Sequence, residues 1–323
     1  FWAIRVVKTF VDIDNALKKI MTQLEVAGVD INKFNINNPF EMVSLLTQLR
    51  DEGADIDLDE VENWGIKIIN ETFEDNFEGV TLSLHEVWIE AISNLFANVE
   101  EPLNEIEFLA VAVQDHGIAP NGMSDRQFRI NTIKEALERA PYPWGLSFLG
   151  DEVPNYYPRM KSIISEAENF LNNIPHLVMD TSAAAILGAL QDENAKRMKT
   201  LITCDVGNSH TMVAVVSDGK IISLAEHHTG MLTKAKLEQM FIKLANGTLN
   251  NSEIFEEGGH GAFHLSEPVG MDNIEGIVVT GPNRDLLKHS SLPIYFAAPY
   301  GDMMITGPVG LLTAIKKRFK DFA

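Results

Sequence analysis

The sequence predicts an α/β protein, and three observations carry that reading. Residues 200–230, TLITCDVGNSHTMVAVVSDGKIISLAEHHTG, read as three strands joined by one phosphate-sized loop and one tight turn. A second run, Ile106 to Val113, is apolar enough for a central buried strand and ends in Gln114-Asp115-His116-Gly117. Residues 178–190 (VMDTSAAAILGAL) read as a helix dense in small residues that another backbone can approach closely, and 299–315 (PYGDMMITGPVGLLTAI) as a turn and a second helix with Gly307 and Gly310 near its beginning.

Composition sets the outer limits. With 323 residues the chain is long enough for two domains, each with its own core. A hydrophobic content of 45% fits a soluble globular protein, and no stretch approaches the ~20 apolar residues of a membrane span. The formal net charge of −20 opposes binding to nucleic acid or to an anionic membrane, both of which need cationic surface. We read the acidity as solvation rather than as a docking surface. The single cysteine, Cys204, excludes an internal disulfide framework and agrees with a cytoplasmic protein. It falls in a predicted buried strand, where it reads as a small core residue rather than a reactive thiol.

The elements follow in order. The chain opens FWAIRVVKTF, without the layout of a signal peptide. Asp12 to Leu24 has helical spacing, as does Pro39 to Arg50, with Met42, Leu45, Leu46 and Leu49 on one face. Asn-rich and Asp-rich connectors surround them, and the acidic run Asp51 to Glu62 reads as a solvated face or loop. Leu84 to Asn98 is again helical and precedes the strand that ends at Gln114. In an open α/β sheet ligands gather at the carboxyl ends of strands, so Gln114, Asp115 and His116 become candidates there. Equally, Asp115 and His116 can simply cap the following turn.

The loop after the next strand carries most of the chemistry. Gly207 lacks a Cβ, so the backbone there can take positive φ, approach a ligand and turn neighbouring N–H groups towards an anion. Asp205, at the strand end, can hold Mg²⁺ or its water shell, while Asn208, Ser209, His210 and Thr211 offer hydrogen bonds to phosphate. The plainer alternative is a hairpin whose Asp and Asn make the turn. Asp218-Gly219 is a strong hairpin signal of its own. His227 and His228 close the third strand next to Thr229-Gly230, which can also meet phosphate. Neighbouring strand residues point to opposite faces, so only one of the two histidines can face the site.

Other possible metal ligands are His210, His260 and His264 with Glu256 and Glu257, since zinc or iron accepts imidazole and carboxylate. The turn Gly258 to Gly261 reads as a mobile loop over a cleft. Residues 277–287, IVVTGPNRDLL, read as a buried strand, a Gly-Pro turn and a helix start. Arg126, Arg129 and Arg159 either bind a substrate anion or pair with carboxylates.

In that order these pieces resemble the actin, sugar-kinase and heat-shock-chaperone ATPase superfamily. A closer resemblance lies in the motifs AVAVQDHGIAP (110–120), Ser124 to Arg129, MDTSAAAILGAL, EHHTGMLT (226–233), GGHGA (258–262) and PYGDMM (299–304). Together they are similar to an archaeal and bacterial family within that superfamily, often labelled a pyruvate formate-lyase-activating enzyme, over roughly residues 60–315. The resemblance implies a two-lobed actin-like ATPase (ribonuclease H-like) fold. We expect an N-terminal lobe over 1–190 with a helical, acidic insertion before about 100. The second lobe is expected over 191–300 and a returning helix over 301–323.

The same resemblance implies ATP and Mg²⁺ as cofactors. Asp115 and Asp205 would hold the metal, and Gln114, Asp115 and His116 would face the γ-phosphate. Gly281, Pro282 and Asn283 would lie against a purine and Arg284 or Asp285 would touch ribose, the alternative being a plain strand-to-helix turn. The superfamily's first phosphate loop, usually near the N-terminus, is not visible, and the expectation is that the sequence lacks its true beginning. The other reading is a protein that has lost half of its phosphate clamp. A radical-generating activase needs several cysteine thiolates for an iron–sulfur cluster, and one cysteine cannot supply them, so no such cluster is expected. The function expected is Mg²⁺-dependent nucleotide binding with slow hydrolysis or phosphoryl transfer, acting as an activator or assembly factor on a partner protein. A catalytically silent scaffold and a small-molecule kinase are the alternatives.

Overall fold

The structure is a computed structural model and describes residues 35–36, 81–82, 86–98, 106–120 and 122–319. The predicted helices Asp12 to Leu24 and Pro39 to Arg50 and the acidic run Asp51 to Glu62 lie outside the described residues. In chain order the strands are β1 (Asn35–Ile36), β2 (Thr81–Leu82), β3 (Leu109–Ala112), β4 (Ser147–Leu149), β5 (His176–Met179), β6 (Thr200–Val206), β7 (His210–Ser217), β8 (Lys220–His228), β9 (Gly261–His264), β10 (Ile277–Thr280) and β11 (Ile294–Phe296). The α-helices are α1 (Ile89–Ala97), α2 (Asp125–Arg139), α3 (Pro158–Phe170), α4 (Thr181–Ala189), α5 (Lys234–Ala245), α6 (Asn251–Glu256) and α7 (Thr306–Arg318).

The chain forms two compact units. Among the described residues, the smaller takes in 35–36, 81–82, 86–98 and 154–173. There β1 pairs with β2 in parallel, α1 packs on α3, and Arg159 ion-pairs with Glu86 at 3.0 Å. The larger unit holds residues 106–153 and those from 174 onward, and with them every residue of the candidate site.

Within the larger unit a six-stranded sheet runs in the order β11-β10-β6-β7-β8-β9. β6, β7 and β8 form an antiparallel meander, β10 lies parallel to β6, and β11 lies parallel to β10. A meander extended on its first strand by two parallel strands is the sheet order of the ribonuclease H-like fold, so the α/β class expected from sequence is the one present. Asp218 (φ 50°) and Gly219 (φ 76°) form the β7–β8 turn with both central residues left-handed, the geometry an Asp-Gly pair favours. A smaller sheet has the order β3-β5-β4, with β3 and β5 parallel and β4 antiparallel to β5.

Strand alternation divides the core into two layers. Leu201, Met212, Ala214, Val216, Leu224 and Val278 turn to one face of the large sheet and pack with α2, α4, α7 and the small sheet. Ile202, Cys204, Val206, Val213, Val215, Ala225 and Val279 turn to the other, against α5. Cys204 is fully buried there, and burial pushes its thiol pKa up. Asp180 caps α4, accepting N–H bonds from Ser182 (3.0 Å) and Ala183 (3.2 Å) on Oδ1. α4 and α7 cross backbone to backbone at Gly188 and Gly310, whose missing Cβ atoms would otherwise fall on opposing carbonyl oxygens. The small-residue helices read from the sequence are therefore partners.

Candidate functional site

β6 and β10 run in the same direction and end side by side, with Asp205 in register with Thr280. The β6–β7 loop leaves from that edge. Gly207 donates its N–H to His210 O at 3.0 Å, and a Cβ on Gly207 would lie 2.6 Å from that same oxygen. The glycine is thus required by the closure of the hairpin. Positive φ, expected from the sequence, is not adopted there. Asn208 and Ser209 form the exposed tip.

Two further segments are fastened to this loop. Asn283 donates from its backbone N–H to Val206 O (3.0 Å) and from Nδ2 to Gly207 O (2.8 Å). Gly281, at φ 97°, passes so close that a Cβ would sit 2.5 Å from Val206 O and 2.6 Å from Asp205 Oδ1, and Pro282 is exposed beside it. On the other side Thr229 donates its N–H to Ser209 O (2.8 Å), and the hydroxyls of Thr211 and Thr229 satisfy one another at 2.9 Å. Gly230 is exposed, with open space where a side chain would be. The residues singled out between 205 and 211, at 229–230 and at 281–283 thus converge on one bend.

The end of β3 reaches the same loop from the small sheet. Asp115 is buried, its Oδ1 accepting the Gly117 N–H at 2.9 Å and its backbone oxygen accepting from Arg129 Nη1 at 3.1 Å. The turn-capping geometry is therefore present. Gln114 precedes it, and the His116 ring lies 5.0 Å from that of His210 and 5.0 Å from that of His260.

His210 is in register with His228 on β8, and alternation places both on the face of the sheet that also carries Glu226. The ring centroids of His210, His228 and His260 are 4.8–4.9 Å apart. His227 turns the other way, onto Gly259, with its Nδ1 3.1 Å from His228 O. One histidine of the pair faces the cluster, as alternation requires. Burial, reinforced by neighbouring imidazoles, holds His210, His228 and His260 below the ordinary histidine pKa, so these rings are neutral at neutral pH.

Behind the rings lies a buried ionic lock. Arg129 on α2 donates from Nε to Glu226 Oε2 (2.7 Å) and from Nη2 to Glu226 Oε1 (2.5 Å) and Asp180 Oδ2 (3.0 Å). Burial alone would raise the Glu226 pKa, but the guanidinium beside it outweighs that and keeps the carboxylate ionised. This one side chain ties α2, the cap of α4, the end of β3 and β8 together. Arg126 is also engaged, donating from Nη1 to Phe255 O (3.1 Å) and Gly259 O (2.7 Å) and lying over the Phe255 ring. The carboxylate-pairing alternative therefore describes Arg129 and Arg159, whereas Arg126 spends its charge on carbonyls.

The 258–261 turn departs from the lid expected of it. His260 is fully buried, its N–H donates to Glu226 O at 3.0 Å, and Arg126 holds Gly259. His264 is turned away to Leu249 O, and Glu257 pairs with Lys236 at 3.1 Å, so neither joins the cluster. Sequence reasoning passed over Glu226 and Asp180. The one signal for Glu226 was its spacing two residues before His228 on a strand, which puts both on one face.

The chain belongs to the family described as "Putative pyruvate format-lyase activating enzyme (DUF1786)", whose model matches residues 52–286. No curated protein is significantly similar to it. Among solved structures it is similar to the ethanolamine utilization protein EutJ from Carboxydothermus hydrogenoformans, at 15% identity over 69% of this chain and 72% of that one, with a TM-score of 0.32. It is also similar to MreB5 of Spiroplasma citri bound to ADP, at 11% identity over 72% and 76%, TM-score 0.32. For Porphyromonas gingivalis acetate kinase the identity is 13% over 55% and 54%, TM-score 0.28. The fold is read from the strand order, independently of these likenesses. No helix among the described residues is long and apolar enough to cross a membrane.

Proposed function

We propose that the protein binds ATP with Mg²⁺ at the 205–211 bend and couples the nucleotide to the activation or assembly of a partner enzyme in the cytoplasm. The observation that carries this reading is the convergence of three sequence-distant segments, 205–211, 229–230 and 281–283, on one exposed glycine bend at the carboxyl ends of parallel strands. The donor set suits the ligand. The tip at Asn208 and Ser209 is solvent-facing, Gly230 leaves open space beside it, and Asp205 supplies the hard oxygen that Mg²⁺ prefers. Bound Mg²⁺ would neutralise phosphate charge. Asp205 would hold it, with Asp115 as the second carboxylate, and Gln114 and His116 would orient water or an acceptor. Gly281, Pro282 and Asn283 would receive the base. The family's label favours an activator, and a single cysteine sets aside a cluster-based radical activase. A net charge of −20 opposes nucleic acid or an anionic membrane as a partner.

Calorimetric ATP titration and phosphate release, each with Mg²⁺ and with Asp205→Ala as comparison, test the proposal. The variant is expected to bind at least about tenfold more weakly, about 1.4 kcal/mol. Equal affinity and equal turnover in the two proteins would remove Asp205 from the site. A second reading, nucleotide binding without turnover, is favoured by the engagement of Arg126 and Arg129 with protein groups, which withdraws both from transition-state stabilisation. Saturable ATP binding without phosphate release would select it.

A further inference from the structure

We propose that His116, His210 and His260 form a binding site for one divalent transition-metal ion, of the zinc, cobalt or ferrous class. One ring nitrogen of each residue can be chosen so that all three lie within 4.8 Å of one another. Around a tetrahedral ion with metal–nitrogen bonds of ~2.0 Å, the nitrogens stand about 3.3 Å apart, so modest ring rotations bring them onto a common centre.

The second observation is the state of the rings themselves. His260 is fully buried, and neither of its ring nitrogens has a hydrogen-bond partner among the described residues. The same holds for both nitrogens of His210. A buried imidazole carries one N–H donor and one lone pair, and leaving these unmatched in the interior costs ~1–3 kcal/mol for each group. Two such rings facing a third, with His228 alongside, do not make a hydrogen-bonded core. A cation placed between them would use the lone pairs that the protein leaves unmatched.

The surroundings suit a cation. Glu226 and Asp180 supply two carboxylates against the single guanidinium of Arg129, and the nearer Glu226 oxygen is 3.8 Å from His260 Nδ1. A carboxylate behind a ligating imidazole orients the ring and strengthens it as a donor. Imidazole selects zinc, cobalt, nickel, copper or iron over Mg²⁺ and Ca²⁺, which take oxygen ligands. Three protein ligands leave a fourth position for water or an oxyanion. His210 begins β7 directly after the exposed tip at Asn208 and Ser209, so the cluster lies one residue in from solvent. The site goes beyond the nucleotide reading and can be examined with no nucleotide present.

The test uses the full chain, stripped with a chelator and titrated with Zn²⁺ against a chromophoric competitor, and with Co²⁺ followed by its visible ligand-field absorption. One ion per chain is expected, with tetrahedral-type Co²⁺ bands and a Tm that rises with free metal. His116→Ala and His210→Asn should each weaken binding by about a hundredfold or more, whereas His264→Ala, outside the cluster, should leave it unchanged. Because His260→Ala opens a hole in the interior and can prevent folding, the half-buried His210→Asn is the deciding variant, with its fold checked by circular dichroism. Absence of saturable binding, or equal affinity in wild type and folded His210→Asn, would overturn the proposal. So would an equal loss in His264→Ala.

Discussion

Replacing Gly310 by alanine tests whether the α4–α7 crossing holds the larger unit together. A Cβ on Gly310 would fall 1.8 Å from Ala184 O, and a Cβ on Gly188 would fall 1.8 Å from Thr306 O. Ordinary contact begins at 3.4 Å, so each methyl is too close by about 1.6 Å. The opposing atoms are helix backbone and cannot swing aside. The helices must instead separate, and a gap of even ~0.5–1 Å already forfeits a quarter to a half of the dispersion energy between facing atoms.

Alanine gains about 1 kcal/mol over glycine in helix propensity. Overpacking of this kind costs ~1–3 kcal/mol, and contact with rigid backbone on both sides places it at the upper end. The expected net effect is a loss of about 2 kcal/mol, read as a lower urea midpoint at unchanged slope. Gly307, also in α7, has nothing within 4 Å of its would-be Cβ, so Gly307→Ala should be neutral or stabilise by up to ~1 kcal/mol. Combining Gly188→Ala with Gly310→Ala should cost less than the sum, because the first separation already makes room for the second methyl. If Gly310→Ala proves as stable as wild type, or Gly307→Ala as damaging as Gly310→Ala, close backbone approach is not what the glycine provides.

Two further outcomes follow from buried charge. Arg129→Met strands the fully buried Glu226 without its cation and should cost ~3–5 kcal/mol in urea unfolding, with part of the loss recovered in Arg129→Met/Glu226→Gln; no recovery would mean that the damage comes from lost packing. Burial pushes the Asp192 carboxyl up, but hydrogen bonds from Tyr295 (2.7 Å) and from the Ala298 (3.0 Å) and Asn194 (2.9 Å) amides outweigh it and hold its pKa below the ordinary 3.8. The unfolded chain then takes the proton first as pH falls, so this contribution is complete above the ordinary value and is lost as pH drops through the folded one. Asp192→Asn should flatten the acid limb of urea midpoint against pH, and parallel limbs in the two proteins would contradict the assignment.

The meander was legible because its signals are local. β-branched runs of the right length flank Asp218-Gly219, and the observed strands β6 to β8 extend the predicted ones by only a few residues. The strand read from Ile106 to Val113 is present but shorter, as Leu109–Ala112, and the helix read from Leu84 to Asn98 begins at Ile89. β4, β5, β9 and β11 were not anticipated, since runs of three or four residues carry too little alternation to be told from loop, and Val178 and Met179, read as the start of a helix, end β5 instead. The segment Gly258 to Gly261 misled for a related reason. Glycine there reads as mobility, whereas Gly258 (φ 91°) and Gly261 (φ 146°) use their backbone freedom to fix the turn, and the absence of side chains at Gly259 and Gly261 lets His227 and Asn251 pack against it.

Residue by residue, the sequence alone specified the strand carrying Cys204, the Asp-Gly hairpin, the small-residue helices, the glycine bend after Asp205 and the fact that His227 and His228 must part company. These depend on spacing within a few positions, which the chain geometry of strands and helices fixes without reference to anything distant. Only the tertiary structure decided that 205–211, 229–230 and 281–283 share one bend, that Arg129 is spent on Glu226 and Asp180, and that His116, His210 and His260 face one another. Those meetings join residues up to 144 positions apart. They are set by which sheet faces pack together, a property of the whole core that no local pattern encodes.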